Sequence, residues 1–235
     1  MLVVGFPTGA FQANCFLIAP AEGEQCVIVD PGQEAEEPIA EALRKYRLSP
    51  VAVVLTHGHL DHTYSVTPVC DGNDVPAWIH PDDRYMLSDP LRGLSAESAR
   101  FFAGLEMREP GQVREMHDGT ELDLAGLKLV VDHTPGHTRG SVSFRHETDE
   151  GGQLLFSGDT LFAGSIGRTD LPGGSMAMMT DSLRKVLELD DETVVLPGHG
   201  PTTTIGRERV SNPFLTGLVD LSDPASEHRG RGRGI

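Results

Sequence analysis

The stretch VAVVLTHGHLDH, residues 51–62, constrains this chain more than any other. Val51–Leu55 is an unbroken aliphatic run that reads as a buried strand. It empties directly into His57, His59, Asp61 and His62. Donor groups packed this densely crowd and repel one another unless a cation sits between them. In an extended segment residues two apart share one side, so His57 and His59 can converge on a single ion. Gly58 between them permits a tight turn that a Cβ would obstruct. Beyond Leu60, Asp61 and His62 are adjacent and can serve a second ion beside the first.

The surroundings of that run predict a layered fold. Leu2–Phe6, Asn14–Ala19 and Gln25–Asp30 read as short strands bounded by Gly or Pro. Ile39, Ala42, Leu43 and Tyr46 then fall at helical spacing, with Pro50 just past the end. Strand, helix and strand in this order imply α/β layers. A strand at WIH leads into a helix from Pro81, with Asp82 and Asp83 in its favourable first turn, and Ser95–Leu105 reads as a second helical piece. Further strands are expected at Glu121–Leu124, Leu127–Asp132, Ser141–Arg145, Gln153–Ser157 and Thr193–Leu196, and a helix over about Ser175–Leu189. The Gly/Arg-rich end SEHRGRGRGI lacks apolar periodicity and is expected to be disordered.

Composition narrows the function. A chain of 235 residues buries enough surface to fold without structural metal or disulfides, so any metal site is free to be functional. A net charge of -16 argues against nucleic acid, whose phosphates need clustered Lys and Arg. Cys15, Cys26 and Cys70 form no C-x-x-C pair and leave an odd count, which suits a reducing cytoplasm. The start lacks the positive charge of a signal peptide, and no apolar run reaches membrane-span length. These features predict a cytoplasmic chain with neither nucleic acid nor membrane as partner.

Three later segments share one design, a strand end followed by a ligand-type residue in a Gly-containing turn: VVDHTPGHT with His137, LLFSGDTLF with Asp159 and VVLPGHGP with His199. Strand ends gathered at one edge of an α/β fold are where sites are built. Together with THGHLDH they supply two nitrogen-rich sets and a carboxylate able to bridge them. Cation pairs in such sites lower the pKa of a shared water, and Asp61 could hold the resulting hydroxide and accept a proton. No G-x-S-x-G elbow competes for the nucleophile's role.

The ordered set resembles the metallo-β-lactamase-fold hydrolases and looks most like their glyoxalase II (hydroxyacylglutathione hydrolase) branch. The similarity runs from NCFLI and VIVDPG to LPGHGPTTTIGRERVSNPFL, and an Asp rather than Cys at 159 matches the glyoxalase side. It implies a four-layer αββα sandwich, two mixed β-sheets face to face with helices outside, over residues 1–221, with 222–235 as tail. It implies two divalent metal ions, zinc first, with iron or manganese as alternatives. His57, His59 and His137 would hold one ion, Asp61, His62 and His199 the other, and Asp159 would bridge. The implied reaction is hydrolysis of a small-molecule thioester such as S-lactoylglutathione or a related thiol conjugate. Two alternatives use the same fold: a persulfide dioxygenase with one iron on His57, His137 and Asp159, and a lactone hydrolase.

Glyoxalase II proteins of the longer type carry a C-terminal helical domain that completes the glutathione site, and too few residues follow His199 to form it. Arg168 in GRTDLPGG reads as bracing its loop through Asp170, with a substrate carboxylate as the alternative partner. Arg139 is a weaker substrate-binding candidate. His80 reads as an ordinary helix-preceding residue, His133 as a supporting or surface group, and Cys15 as a small buried hydrophobe.

Overall fold

The computed structural model describes residues 1–148 and 150–215. The expected tail lies outside the described residues. Six strands build the first sheet in sequence order: β1 (Leu2–Thr8), β2 (Ala13–Ala19), β3 (Gln25–Val29), β4 (Ser49–Val54), β5 (Ala77–Ile79) and β6 (Val113–Glu115). The β1–β2–β3 part is antiparallel, and β3 through β6 run parallel. The second sheet contains β7 (Glu121–Leu124), β8 (Leu127–His133), β9 (Val142–Glu147), β10 (Gln153–Gly158), β13 (Val194–Pro197) and β14 (Thr203–Thr204), ordered β14-β13-β10-β9-β8-β7. A small hairpin, β11 (Leu161–Phe162) with β12 (Ser165–Ile166), lies apart from both.

Strand alternation explains the layering. Within β2, Cys15, Leu17 and Ala19 pack outward, with Ile28, Val53 and Leu55, against α1 (Glu36–Tyr46) and α3 (Val66–Asn73). The intervening Phe16 and Ile18 face the other way, onto Leu129, Val131, Phe144 and Phe156 of the second sheet. Phe16 and Phe156 meet edge-on across this interface, ring centroids 5.5 Å apart. On the far face Leu155 and Val195 pack against Met179, Leu183 and Val186 of α6 (Met176–Val186). Both six-stranded sheets are therefore apolar on both faces, and the result is the expected αββα sandwich.

The differences from expectation lie in the helices. α3 was not anticipated, because Pro68 and Gly72 mask it in the sequence; its Val66, Val69 and Cys70 form a buried face at helical spacing. The helix expected from Pro81 shrinks to α4 (Pro81–Arg84) followed by two 3₁₀ turns, Tyr85–Leu87 and Pro90–Gly93. Ser95–Leu105 reduces to the single turn α5 (Ser98–Phe101), none of whose residues is buried. Without an apolar face to dock, a longer helix there gains nothing from tertiary packing. The short α2 (Leu60–Thr63) and the terminal α7 (Ile205–Ser211) complete the fold. Among the described residues no helix is long and apolar enough to cross a membrane.

Candidate metal centre

β4, β8, β10 and β13 release their C-terminal ends at one edge of the sandwich. His57 and His59 follow β4, His137 follows β8, Asp159 follows β10 and His199 follows β13. α2 begins immediately after His59, and its first turn carries Asp61 and His62. The structure thus brings together all seven residues singled out as ligands. Their donor atoms form three overlapping groups: His57, His59 and His137; His57, His62 and Asp159; Asp61, His62 and His199. Within each group the atoms lie within 4.8 Å of one another.

His59 Nδ1 is 2.8 Å from His137 Nε2, and His62 Nε2 is 3.2 Å from His199 Nε2. Asp159 stands between these pairs. Its Oδ1 lies 3.4 Å from His62 Nε2, and its Oδ2 lies 3.4 Å from His137 Nε2 and 3.6 Å from His199 Nε2. Asp61 Oδ2 is 3.2 Å from His199 Nε2. Gly198 makes this approach feasible, since a Cβ there would run into Asp159 Oδ1 and His62 Cε1.

Hydrogen bonds behind the rings aim the lone pairs inward. His62 Nδ1 donates to Asp30 Oδ2 at 3.0 Å, and His137 Nδ1 donates to the Arg168 carbonyl at 2.7 Å. Thr56 Oγ1 donates to Asp30 Oδ2 at 2.5 Å, so it can accept from His57 Nδ1 at 3.1 Å. Each bond leaves the ring's Nε2 as the inward atom. His199 is held differently. Asn14 clamps its loop by donating from Nδ2 to the carbonyls of Pro197 and Gly200, both at 2.9 Å.

The electrostatics fit a cation. Burial and the surrounding imidazoles push His57 far down and His59 down to about 3, so both are neutral donors of lone pairs. Burial also lowers His62, but Asp61, Asp159 and Asp30 outweigh it and carry this histidine up to about 10. Burial raises Asp61, yet His62, His199 and His59 hold its carboxyl below the usual range. Four buried side-chain polar atoms among the described residues lack a hydrogen-bond partner, and three belong here: His57 Nε2, His59 Nε2 and Asp159 Oδ1. Such orphans are expensive unless an ion satisfies them. Five imidazoles and two carboxylates are the donor set that zinc, iron and manganese accept.

Residues 8–199 match the Metallo-beta-lactamase superfamily. The chain belongs to that superfamily. An uncharacterized protein of Mycobacterium tuberculosis (strain H37Rv) is 51% identical over 222 residues, covering 93% of this chain and 99% of that protein. Hydroxyacylglutathione hydrolase GloC of Haemophilus influenzae is 37% identical over 213 residues, 89% of this chain and 95% of GloC. The crystal structure of BLEG-1 B3 metallo-beta-lactamase superposes with a TM-score of 0.79 at 37% identity, covering 92% of this chain and 100% of that one. TTHA1623 in a di-iron-bound form gives 0.74 at 39% identity, with the same coverage. Members of this superfamily bind divalent metals, and the His/Asp groups above supply such sites here.

The centre opens into a cavity of about 380 Å³. Asp61 is the more accessible of the two carboxylates, with its side chain 22% exposed against 9% for Asp159. Arg168 lines the cavity, and its guanidinium forms a two-pronged pair with Asp170 at 2.7 and 2.6 Å. Arg139 is exposed and is not among the residues lining this cavity; its carbonyl accepts from His133 Nε2 at 2.8 Å. His133 stacks on His80, ring centroids 4.3 Å apart, away from the ligand set. Cys15 is fully buried, and burial pushes its thiol well up.

Three supporting residues escaped the sequence reading. Asp30 was visible only as part of VIVDPG, although it obeys the strand-end rule that picked out Asp159. Asn14 gave no signal beyond its place at the start of a strand and in NCFLI. Asp83 was read only as a helix-start charge, and α4 does carry it in its first turn. The structure also buries it, and its carboxylate accepts from Gly58 N–H at 2.9 Å, Gly140 N–H at 2.9 Å and Thr138 Oγ1 at 2.6 Å. It thereby ties the His57–His59 loop to the loop carrying His137. Burial pushes the Asp83 carboxyl up, against the pull of these three donors.

Proposed function

We propose that this chain is a cytoplasmic, dinuclear hydrolase of thioesters, S-lactoylglutathione or a related thiol conjugate, with zinc as its first-choice metal. One observation carries the reading: Asp159 lies 3.4–3.6 Å from members of both ligand sets, its Oδ2 near His137 of one set and His199 of the other, and its Oδ1 near His62. A carboxylate so placed suits a bridge between two ions. His57, His59 and His137 would hold one, and Asp61, His62 and His199 the other. The similarity to GloC of Haemophilus influenzae supports the thioester class. Three buried cysteines without disulfides support a reducing compartment.

Bound divalent ions would supply Lewis-acid polarisation of the carbonyl and lower the pKa of a water. The chain's own residues do the rest. Asp61 lines the cavity, and its carboxylate can take the water's proton. Asp30, Thr56 and the Arg168 carbonyl fix the rings of His62, His57 and His137, so that donor atoms need not reorganise during reaction. The near-complete burial of His57 and His59 keeps bulk water from the floor of the site. A mononuclear iron site for persulfide oxidation would leave His199 without a task, yet that ring sits 3.2 Å from Asp61.

The test is a substrate panel with the purified full chain. Hydrolysis of S-lactoylglutathione or another thioester, without oxygen uptake on glutathione persulfide, is the expected outcome. Oxygen uptake with no thioesterase activity would overturn the reading.

A further inference from the structure

The cavity over the ligand set is chemically lopsided. Apart from the five ligand residues at its floor, nine residues line it, and seven of them are apolar. Phe162 stands over the floor, its ring 6.0 Å from that of His199. Leu94 and Leu171 build the walls. Phe11 and Phe102 form part of the lining, ring centroids 6.4 Å apart and tilted by 35°, and Phe11 remains 53% exposed. The two remaining residues are Ser98 and Arg168, and the guanidinium is already neutralised by Asp170.

This lining has no unpaired side-chain cation for a carboxylate, and a concave, mostly apolar lining around a few polar groups is the kind of surface that an apolar part of a ligand fills. Small thiol carriers are polar, so the apolar demand falls on the acyl side. A volume of about 380 Å³ holds about a dozen water-sized groups. We infer that the cavity selects an apolar, medium-length acyl group, with Phe11, Phe102, Phe162, Leu94 and Leu171 as its specificity surface. This rests on the thioester-hydrolase reading and names its acyl class. A short hydroxyacyl group such as lactoyl leaves most of that surface uncovered.

The test is an acyl series from acetyl to octanoyl on one uncharged carrier, N-acetylcysteamine, with the metal-loaded full chain. The inference expects kcat/KM to rise by about fourfold per methylene until the cavity fills. Phe102→Ser and Phe11→Ser should flatten that slope. Phe101→Ser should not, because Phe101 is 83% exposed and does not line the cavity. Should Phe102→Ser misfold, Phe11→Ser carries the comparison, since that ring is half in solvent. A flat series in which every member is hydrolysed overturns the inference and leaves the thioesterase reading standing. If no thioester, S-lactoylglutathione included, turns over, the thioesterase reading fails. Calorimetry with S-alkyl N-acetylcysteamine thioethers then decides the inference: affinity rising by a similar factor per methylene supports it, and length-independent affinity overturns it.

Discussion

Asp83→Ala isolates the contribution of a residue that touches neither cavity nor ligand. The substitution removes a buried carboxylate that accepts three hydrogen bonds. Thr138 Oγ1 keeps an alternative partner, Ser141 Oγ at 2.7 Å. The Gly58 and Gly140 N–H groups have no such alternative. Leaving two buried donors unpaired costs about 1–3 kcal/mol each, or about 4 kcal/mol together. For a chain of this size each kcal/mol moves the melting temperature by about 2–4 °C, so a fall of about 8–16 °C is expected. Because the two loops joined by Asp83 carry His57, His59 and His137, metal retention should fall with it. Asp82→Ala is the matched control: that side chain is exposed, and a change within about 0.5 kcal/mol is expected. Calorimetric melting of both variants, with metal content measured on the same samples, decides the matter. If Asp83→Ala melts within about 2 °C of the parent and keeps its metal, the loops are held by something else.

Other perturbations separate the roles of the ligands. Asp159→Ala should lose metal and activity together, whereas Asp61→Asn should retain much of the metal held by His57, His59 and His137 yet lose most turnover; retention of both metals by Asp159→Ala would refute the bridge. In the metal-free chain His62, at about 10, is protonated at neutral pH, so metal uptake must expel that proton. Against burial, Asp61 and Asp159 also raise His199, so calorimetry in buffers of different ionisation enthalpy should detect release of at least one proton at pH 7, and metal affinity should strengthen as pH rises toward 10; pH-independent affinity would contradict the assignment. Arg168→Ala removes a guanidinium already paired with Asp170, and an exposed pair contributes under about 1 kcal/mol, so kcat/KM for S-lactoylglutathione should change by less than about fivefold. A much larger rise in KM with metal content unchanged would mean that Arg168 leaves Asp170 to meet a substrate carboxylate.

The parts of this protein legible in its sequence are those where chemistry and periodicity coincide. Val51–Val54 announces a strand, and His57, His59, Asp61 and His62 follow within a span that local geometry alone brings together. His137, Asp159 and His199 lie far apart in the chain, but each follows an aliphatic strand into a Gly turn, and parallel strand directions gather such ends at one edge. α3 was hidden because Pro68 and Gly72 oppose local helix formation, and only the packing of Val66, Val69 and Cys70 against the first sheet compensates. Asp83 was only partly legible, for a related reason. Its position suits a helix start, while its role depends on Gly58 and Thr138, which are 25 and 55 residues away in sequence. The aromatic lining of the cavity is equally non-local, since Phe11, Phe102 and Phe162 share no spacing that a pattern could detect.

The central claim is that two ions sit side by side in this edge of the sandwich. It is tested most directly by counting metal in the purified full chain while titrating zinc into a metal-stripped sample and following thioester hydrolysis. The account predicts two equivalents per chain, and a His199→Ala variant that keeps one of them and loses most of the activity. A single tightly held ion in the parent chain, with activity indifferent to His199→Ala, would contradict it.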